Sequence, residues 1–117
     1  MYGIQDKKTH LTEAVHALLL RCAEAVRKED PGTRIILYGS QARGDATTES
    51  DVDILVLLRS DVSSQEESRI HDRLYEIGLD YDLAISAIIK SIPHWEQPIS
   101  RATPLYRAVQ EEGIFVE

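Results

Sequence analysis

Two apolar runs separated by a short polar segment dominate the middle of this 117-residue sequence. Residues 35–38 and 52–58 are almost continuously apolar and rich in β-branched and aliphatic side chains. Such runs are typical of strands that are covered on both faces. Since the connecting residues are polar and end in two aspartates, the pattern predicts two strands of a central sheet with a functional loop between them.

The two aspartates open the second apolar run with one residue between them. Side chains alternate along a strand, so Asp51 and Asp53 are expected on one face while Val52 points to the other. Two carboxylates held close together repel each other unless a cation lies between them. Mg²⁺ is commonly bound by one or two carboxylates together with substrate phosphates. Asp51 and Asp53 therefore form a candidate metal site.

The glycine-serine pair that ends the first run supplies the complementary feature. Gly39 allows close approach of the backbone to a ligand, and Ser40 adds a hydroxyl group. If residues 41–44 begin a short helix, its free N–H groups favour an anion. Arg43 is placed to add a charge-assisted contact. We interpret Gly39, Ser40 and Arg43 as a phosphate-binding site that faces the metal site across a cleft.

These motifs resemble those of a known superfamily. Gly-Ser-Gln-Ala-Arg-Gly at residues 39–44 with Ser-Asp-Val-Asp at 50–53 is similar to the minimal nucleotidyltransferase (MNT) branch of the DNA polymerase β-like nucleotidyltransferases. The resemblance implies an α/β (α+β) fold, a small mixed sheet packed with helices. It also implies a third acidic residue on a later strand, for which the sequence offers Asp80 and Asp82. Asp82 is favoured because the apolar residues 83–89 follow it directly.

The resemblance implies an activity and its cofactors. Asp51, Asp53 and Asp82 would bind Mg²⁺, in general two ions about 4 Å apart, and Gly39, Ser40 and Arg43 would hold the triphosphate of ATP. AMP would then be transferred to a hydroxyl group. Proteins of the MNT branch commonly occur with HEPN-domain proteins, helical partners that include ribonuclease toxins, and some act as antitoxins by adenylylating a partner tyrosine.

Three functions stay open at this point. The first is adenylylation of a HEPN-domain toxin within a hetero-oligomer. The second is an antitoxin of the same fold that neutralises its partner by binding alone. The third is a nucleotidyltransferase that modifies a small molecule, such as an antibiotic hydroxyl. The short chain leaves little room for an acceptor-binding domain, which favours the first function over the third.

Composition sets outer bounds. The length fits a single domain, residues 1–117, and the formal net charge of −7 argues against direct nucleic-acid binding. The single cysteine, Cys22, lies in an apolar helical pattern and is expected to be a buried thiol. No apolar run approaches the roughly 20 residues that span a bilayer, and residues 1–6 lack the basic and apolar regions typical of a signal peptide. We expect no membrane contact and a cytoplasmic location.

Other chemistries fit poorly. The 39–45 segment lacks the Gly-Lys-Ser/Thr of a P-loop, and the sequence contains no Gly-x-Gly-x-x-Gly. The aspartate pair lacks the further ligands and central glycine of an EF-hand loop. Gly-x-Ser-x-Gly, the motif around many hydrolase nucleophiles, is also absent. Kinase, dehydrogenase, calcium-binding and serine-hydrolase functions are therefore not indicated.

The flanking segments are predicted to support this centre. Apolar residues at three- and four-residue spacing from Leu11 to Val26 predict an amphipathic helix capped by Thr9 or Thr12. A second helix is predicted to start at a capping box headed by Ser63 or Ser64 and to end at Gly78. A third strand is predicted over residues 79–89, and it would carry the third carboxylate.

The last quarter of the chain is rich in proline. We expect a loop over residues 93–102, with a short helical turn around Trp95. Thr103 and Pro104 fit the N-cap and first position of a helix that ends near Glu112. Residues 114–116 are expected to add a short edge strand. The aromatic residues here are core caps or, as the alternative, a partner surface.

Overall fold

The computed structural model describes residues 2–3 and 11–116. These residues form five strands and six helices. The predicted Thr9 cap lies outside the described residues. The strands are β1 (Tyr2–Gly3), β2 (Arg34–Tyr38), β3 (Val52–Leu58), β4 (Ile85–Ser91) and β5 (Ile114–Val116). The helices are α1 (Glu13–Glu29), α2 (Ser40–Arg43), α3 (Ser64–Tyr81), α4 (Ile92–Trp95), α5 (Pro98–Arg101) and α6 (Pro104–Glu112).

The strands form one mixed sheet in the order β1-β5-β2-β3-β4. β2 runs antiparallel to both β3 and β5, whereas β3 and β4 are parallel, as are β1 and β5. The predicted fold class, a mixed sheet packed with helices, is confirmed. Residues 114–116 form a strand as predicted, but its predicted edge position is wrong, because β5 lies between β1 and β2. Its partner β1 comes from the other end of the chain, so local sequence gives no sign of this pairing.

The two faces of the sheet are covered by different helices. On one face, α1 and α3 pack over alternate strand residues such as Ile35, Leu37 and Ile54. On the other face, residues of α4 and α6 pack over Ile36 and Leu55. Fully burying a side chain of this size contributes about 1.5–3 kcal/mol relative to leaving it exposed. The two apolar runs, residues 35–38 and 52–58, are therefore covered on both faces of the sheet, as their composition predicts.

Helix α1 has the predicted amphipathic form. Its buried residues include Leu18 and Cys22, both fully buried. Thr12 is the N-cap, and its side-chain oxygen accepts the N–H of Val15 at 3.2 Å. Burial raises the pKa of the Cys22 thiol to about 12. The thiol is therefore protonated at neutral pH, in agreement with a core role.

Helix α3 extends beyond its predicted end. Ser63 is the N-cap, which decides between the two serines, but Gly78 lies inside the helix and Asp82 is the C-cap. A Cβ on Gly78 would lie 2.6 Å from the carbonyl oxygen of Leu83, so this glycine permits close chain approach and does not stop the helix. The predicted strand 79–89 is therefore wrong at its start, since β4 begins at Ile85.

The C-terminal quarter is more helical than predicted. α4 and α5 occupy much of the segment 93–102, which the sequence predicts to be a loop. Of these two helices, the sequence predicts only the helical turn near Trp95. Thr103 caps α6 and Pro104 is its first residue, as the sequence predicts. Trp95 is buried and its ring lies 5.0 Å from that of Tyr106, which assigns both to the core. Within the described part of the chain, every helix is too short or too polar to cross a bilayer.

Candidate active site

The turn between β2 and α2 brings the backbone against β3. Gly39 has φ 78° and ψ −158°, in a region of backbone space used almost only by glycine. A Cβ at this position would overlap Oδ2 of Asp53. α2 follows at once, so a short helix is present as predicted, but it begins at Ser40, one residue before the predicted range 41–44. The sequence therefore needs glycine here for two reasons, the backbone angles and the contact with a carboxylate.

The carboxylate pair lies where the alternation of β3 places it. Asp51 directly precedes β3 and is exposed, while Asp53 is half-buried within the strand. Asp53 is the register partner of Tyr38 on one side and of Ser86 on the other. Its face is the one covered by α4 and α6, because Leu55, two residues later, packs there.

Electrostatics at Asp53 reflect this crowding. Burial is the largest influence and raises the pKa of the Asp53 carboxyl above its ordinary value. The neighbouring charge of Asp51 raises this pKa further, whereas Arg43 opposes the shift. A half-buried carboxylate with a second carboxylate beside it is typical of a site that binds a cation.

The predicted third carboxylate is not at this site. Asp82 is the exposed C-cap of α3 in the left-handed conformation, and Asp80 lies on α3 and pairs with Arg21 at 2.9 Å. Within residues 2–3 and 11–116, no three His, Cys, Asp or Glu side chains are grouped so that they could hold a metal. The predicted Asp51–Asp53–Asp82 cluster is therefore wrong, because α3 continues through the residues expected to begin the strand.

Ser86 is the residue that β4 brings beside Asp53. It lies on β4 directly beside Asp53, and it is exposed. Paired residues on neighbouring strands point to the same face, about 5 Å apart. The donor set on these strands is thus two carboxylates and a hydroxyl group. This set fits a Mg²⁺ ion that completes its shell with waters and phosphate oxygens.

Arg43 is engaged by protein carboxylates. Its Nη1 lies 3.1 Å from Oε1 and 3.2 Å from Oε2 of Glu112, and its Nε lies 3.2 Å from Oδ2 of Asp45. Its predicted role in nucleotide binding stays a prediction. In this arrangement the positive charge of Arg43 is already shared by two carboxylates.

Glu112 is a site residue that the sequence did not reveal. Its Oε2 accepts the N–H of Gly39 at 2.8 Å, in addition to the contacts with Arg43. It lies 73 residues from Gly39 in sequence, and only the pairing of β5 with β2 brings the two together. The local sequence shows only an acidic residue directly before Gly113, the glycine that ends α6, and this does not indicate a contact with Gly39.

The loop that leads into β3 is ordered by two of its own side chains. Ser50 Oγ accepts the N–H of Thr47 at 2.9 Å, and the Ser50 N–H donates to the Thr47 carbonyl at 3.1 Å. This pair forms a tight turn directly before Asp51. Ser50 therefore helps to orient the start of β3.

Comparison with known proteins agrees with this geometry. The family model described as "Nucleotidyltransferase domain" matches residues 19–116, which include the glycine-serine turn and both aspartates. The chain belongs to the nucleotidyltransferase domain family. As a nucleotidyltransferase it takes a nucleotide substrate, and the resemblance of residues 39–44 and 50–53 to this superfamily is confirmed.

Two relatives of this nucleotidyltransferase come from Methanocaldococcus jannaschii. "Putative protein adenylyltransferase MJ0604" is 34% identical over 108 residues, which cover 92% of this chain and 95% of the relative. "Putative protein adenylyltransferase MJ0141" is 43% identical over 61 residues, which cover 52% of this chain and 62% of that relative. The second match thus spans less than two thirds of the relative's length.

Proposed function

We propose that this nucleotidyltransferase transfers AMP from ATP to a hydroxyl group of a partner protein. The first candidate for the acceptor is a tyrosine of a HEPN-domain toxin, so that the chain acts as an antitoxin. The relatives' names, which refer to protein adenylyltransferases, and the similarity of residues 39–53 to the MNT branch support this choice. The net charge of −7 suits a basic or neutral protein better than a nucleic acid as the acceptor.

One observation carries the proposal: the Asp53 carboxylate lies against the backbone of Gly39, where the turn between β2 and α2 begins. A phosphate held at Ser40, beside the Gly39 backbone, would therefore lie next to the carboxylates of Asp51 and Asp53. This is the proximity that nucleotidyl transfer needs, since positioning and charge neutralisation supply most of its catalysis.

The residues would divide the work as follows. Asp51 and Asp53 would hold a divalent cation, Mg²⁺ in the first instance, which when bound offsets the negative charge of the phosphate oxygens. Ser40 would hold the triphosphate through its hydroxyl and backbone N–H. The acceptor oxygen attacks the α-phosphorus and forms a new bond, the bond to pyrophosphate breaks, and the hydroxyl proton passes to solvent.

An adduct experiment tests the proposal. The purified chain is incubated with a candidate HEPN-domain partner, ATP and Mg²⁺, and the intact mass of the partner is measured. We expect an AMP adduct with the wild type and none with Asp53→Asn. Asp82→Asn is the matched control, because asparagine also tolerates the left-handed conformation of this cap and the residue is outside the site. Loss of the adduct in Asp82→Asn would contradict the assignment of the site.

A second candidate function is neutralisation of the partner by binding alone. The observation that favours it is Ser86, which places a hydroxyl group and not a third carboxylate beside Asp53. In this case Asp53→Asn would still neutralise the partner, and neither protein would produce an adduct. A labelled small molecule in place of a labelled partner would support the third function, modification of a small-molecule hydroxyl.

A further inference from the structure

The carboxylate of Glu112 contacts the turn between β2 and α2. It reaches this turn from the β5 side of β2, whereas Asp53 lies on the β3 side. It accepts the Gly39 N–H at 2.8 Å, and it binds the guanidinium of Arg43 through both oxygens. The side chain of Glu112 is 19% exposed, against 47% for Arg43. One side chain therefore holds both ends of the short segment that starts at Gly39 and ends with α2.

Strand pairing explains why Glu112 reaches this turn. β2 and β5 are antiparallel, with Leu37 paired to Ile114. Continuing that register by two residues places Glu112 directly across from Gly39. The hydrogen bond between them extends the sheet by one more link, with a side-chain oxygen in place of a backbone carbonyl.

Helix stability does not account for a carboxylate at this position. Glu112 is the last residue of α6, where the negative end of the helix dipole disfavours an acidic side chain. The Gly39 N–H and Arg43 offset that cost, so the favourable contacts of Glu112 all lie in the turn. Its neighbour Glu111 is exposed, and it offers a comparison on the same helix.

We propose that Glu112 is a positioning residue that fixes the turn of residues 39–43 in the form that binds the nucleotide triphosphate. The proposal rests on the proposed function for the identity of the ligand. Because Glu112 occupies the Gly39 N–H and shares the charge of Arg43, the direct contacts to phosphate fall to Ser40 and to the cation held by Asp51 and Asp53. Glu112 acts through Gly39 and does not touch the nucleotide.

The test compares Glu112→Ala and Glu112→Gln with Glu111→Ala as the matched control. Binding of Mg-ATP is measured by calorimetry, thermal stability by circular dichroism, and the Gly39 amide by NMR hydrogen exchange. We expect Glu112→Ala to weaken Mg-ATP binding at least tenfold, equivalent to about 1.4 kcal/mol, and to lose protection of the Gly39 amide. Glu112→Gln should keep part of both, since its amide oxygen still accepts the Gly39 N–H. Glu111→Ala should match the wild type.

Three results would overturn the proposal. The first is unchanged or tighter Mg-ATP binding in a folded Glu112→Ala protein, which would make Glu112 a purely structural or a competing group. The second is an equal effect in Glu111→Ala. The third concerns a wild type that binds no Mg-ATP, which would be a failure of the proposed function. In that case, retained protection of the Gly39 amide in Glu112→Ala refutes the positioning role. Lost protection of this amide supports the role.

Discussion

Replacement of Gly39 by alanine is the sharpest perturbation that the fold offers. The backbone of Gly39 lies at φ 78° and ψ −158°, and holding a non-glycine residue in such a region costs about 1–3 kcal/mol. The added methyl group also overlaps Oδ2 of Asp53, and overpacking of this kind typically costs a further ~1–3 kcal/mol. We therefore expect a loss of about 2–6 kcal/mol in the free energy of unfolding.

Gly44→Ala separates the two contributions. Gly44 has φ 83° and ψ 15°, a left-handed conformation that costs an L-residue about 1–2 kcal/mol. Urea denaturation of both variants gives the free energies, provided that the slope with urea concentration is unchanged. Gly39→Ala should be the less stable by at least ~1 kcal/mol. Equal stabilities of the two variants would refute the claim that Gly39 is required by contact with Asp53.

Three further predictions concern single carboxylates and their neighbours. Ser86→Asp should tighten Mn²⁺ binding, measured by electron paramagnetic resonance, by about tenfold, ~1.4 kcal/mol, because it adds a third acid beside Asp53; unchanged binding would contradict the assigned register. Burial and Asp51 raise the native pKa of Asp53. The contribution of the Asp53 carboxyl to the free energy of unfolding is therefore fully present below the unfolded pKa of about 3.9, and it is lost as pH rises through the native pKa. In urea denaturation with EDTA, the wild type should therefore lose more stability than Asp53→Asn over that window, and parallel curves would argue against the shift. Asp30→Ala should cost about 1–3 kcal/mol in the same assay, since the Asp30 carboxylate accepts the Arg59 backbone N–H at 2.9 Å and the Arg59 Nε at 2.8 Å; a loss below ~0.5 kcal/mol would show that solvent replaces these bonds.

The centre of the fold is predictable because its signals are local. The two apolar runs, the glycine-serine turn and the alternation that places Asp51 and Asp53 together all fall within residues 35–58. Each feature depends on neighbours a few residues away, and each is present in the structure. The cap of α6 at Thr103 was predictable for the same reason.

The error at Asp82 has a physical origin. The buried spacing of α3 includes Ile77, and Tyr81 continues it four residues later, packed against the same core. A helix and a strand therefore both satisfy the apolar residues of this segment. Packing of α3 against α1, including the Arg21–Asp80 ion pair, favours the longer helix. That choice moves the start of the strand to Ile85 and leaves Ser86 beside Asp53.

Glu112 was missed because its role exists only in the assembled sheet. Its contacts with Gly39 and Arg43 cross 73 and 69 residues of sequence. Such contacts follow from the pairing of β5 with β2, which no local pattern specifies. The elements of the site that depend on strand order are thus those that sequence reasoning left incomplete.

The most direct test of the central claim is a label-transfer measurement. The chain and a candidate partner are incubated with Mg²⁺ and ATP labelled either at the α-phosphate or at the γ-phosphate, and protein-bound label is counted for the wild type and for Asp53→Asn. We expect transfer of the α-label alone with the wild type, and no transfer with Asp53→Asn. Transfer of the γ-label, or α-label transfer that persists in Asp53→Asn, would contradict nucleotidyl transfer at the site formed by Gly39, Asp51 and Asp53.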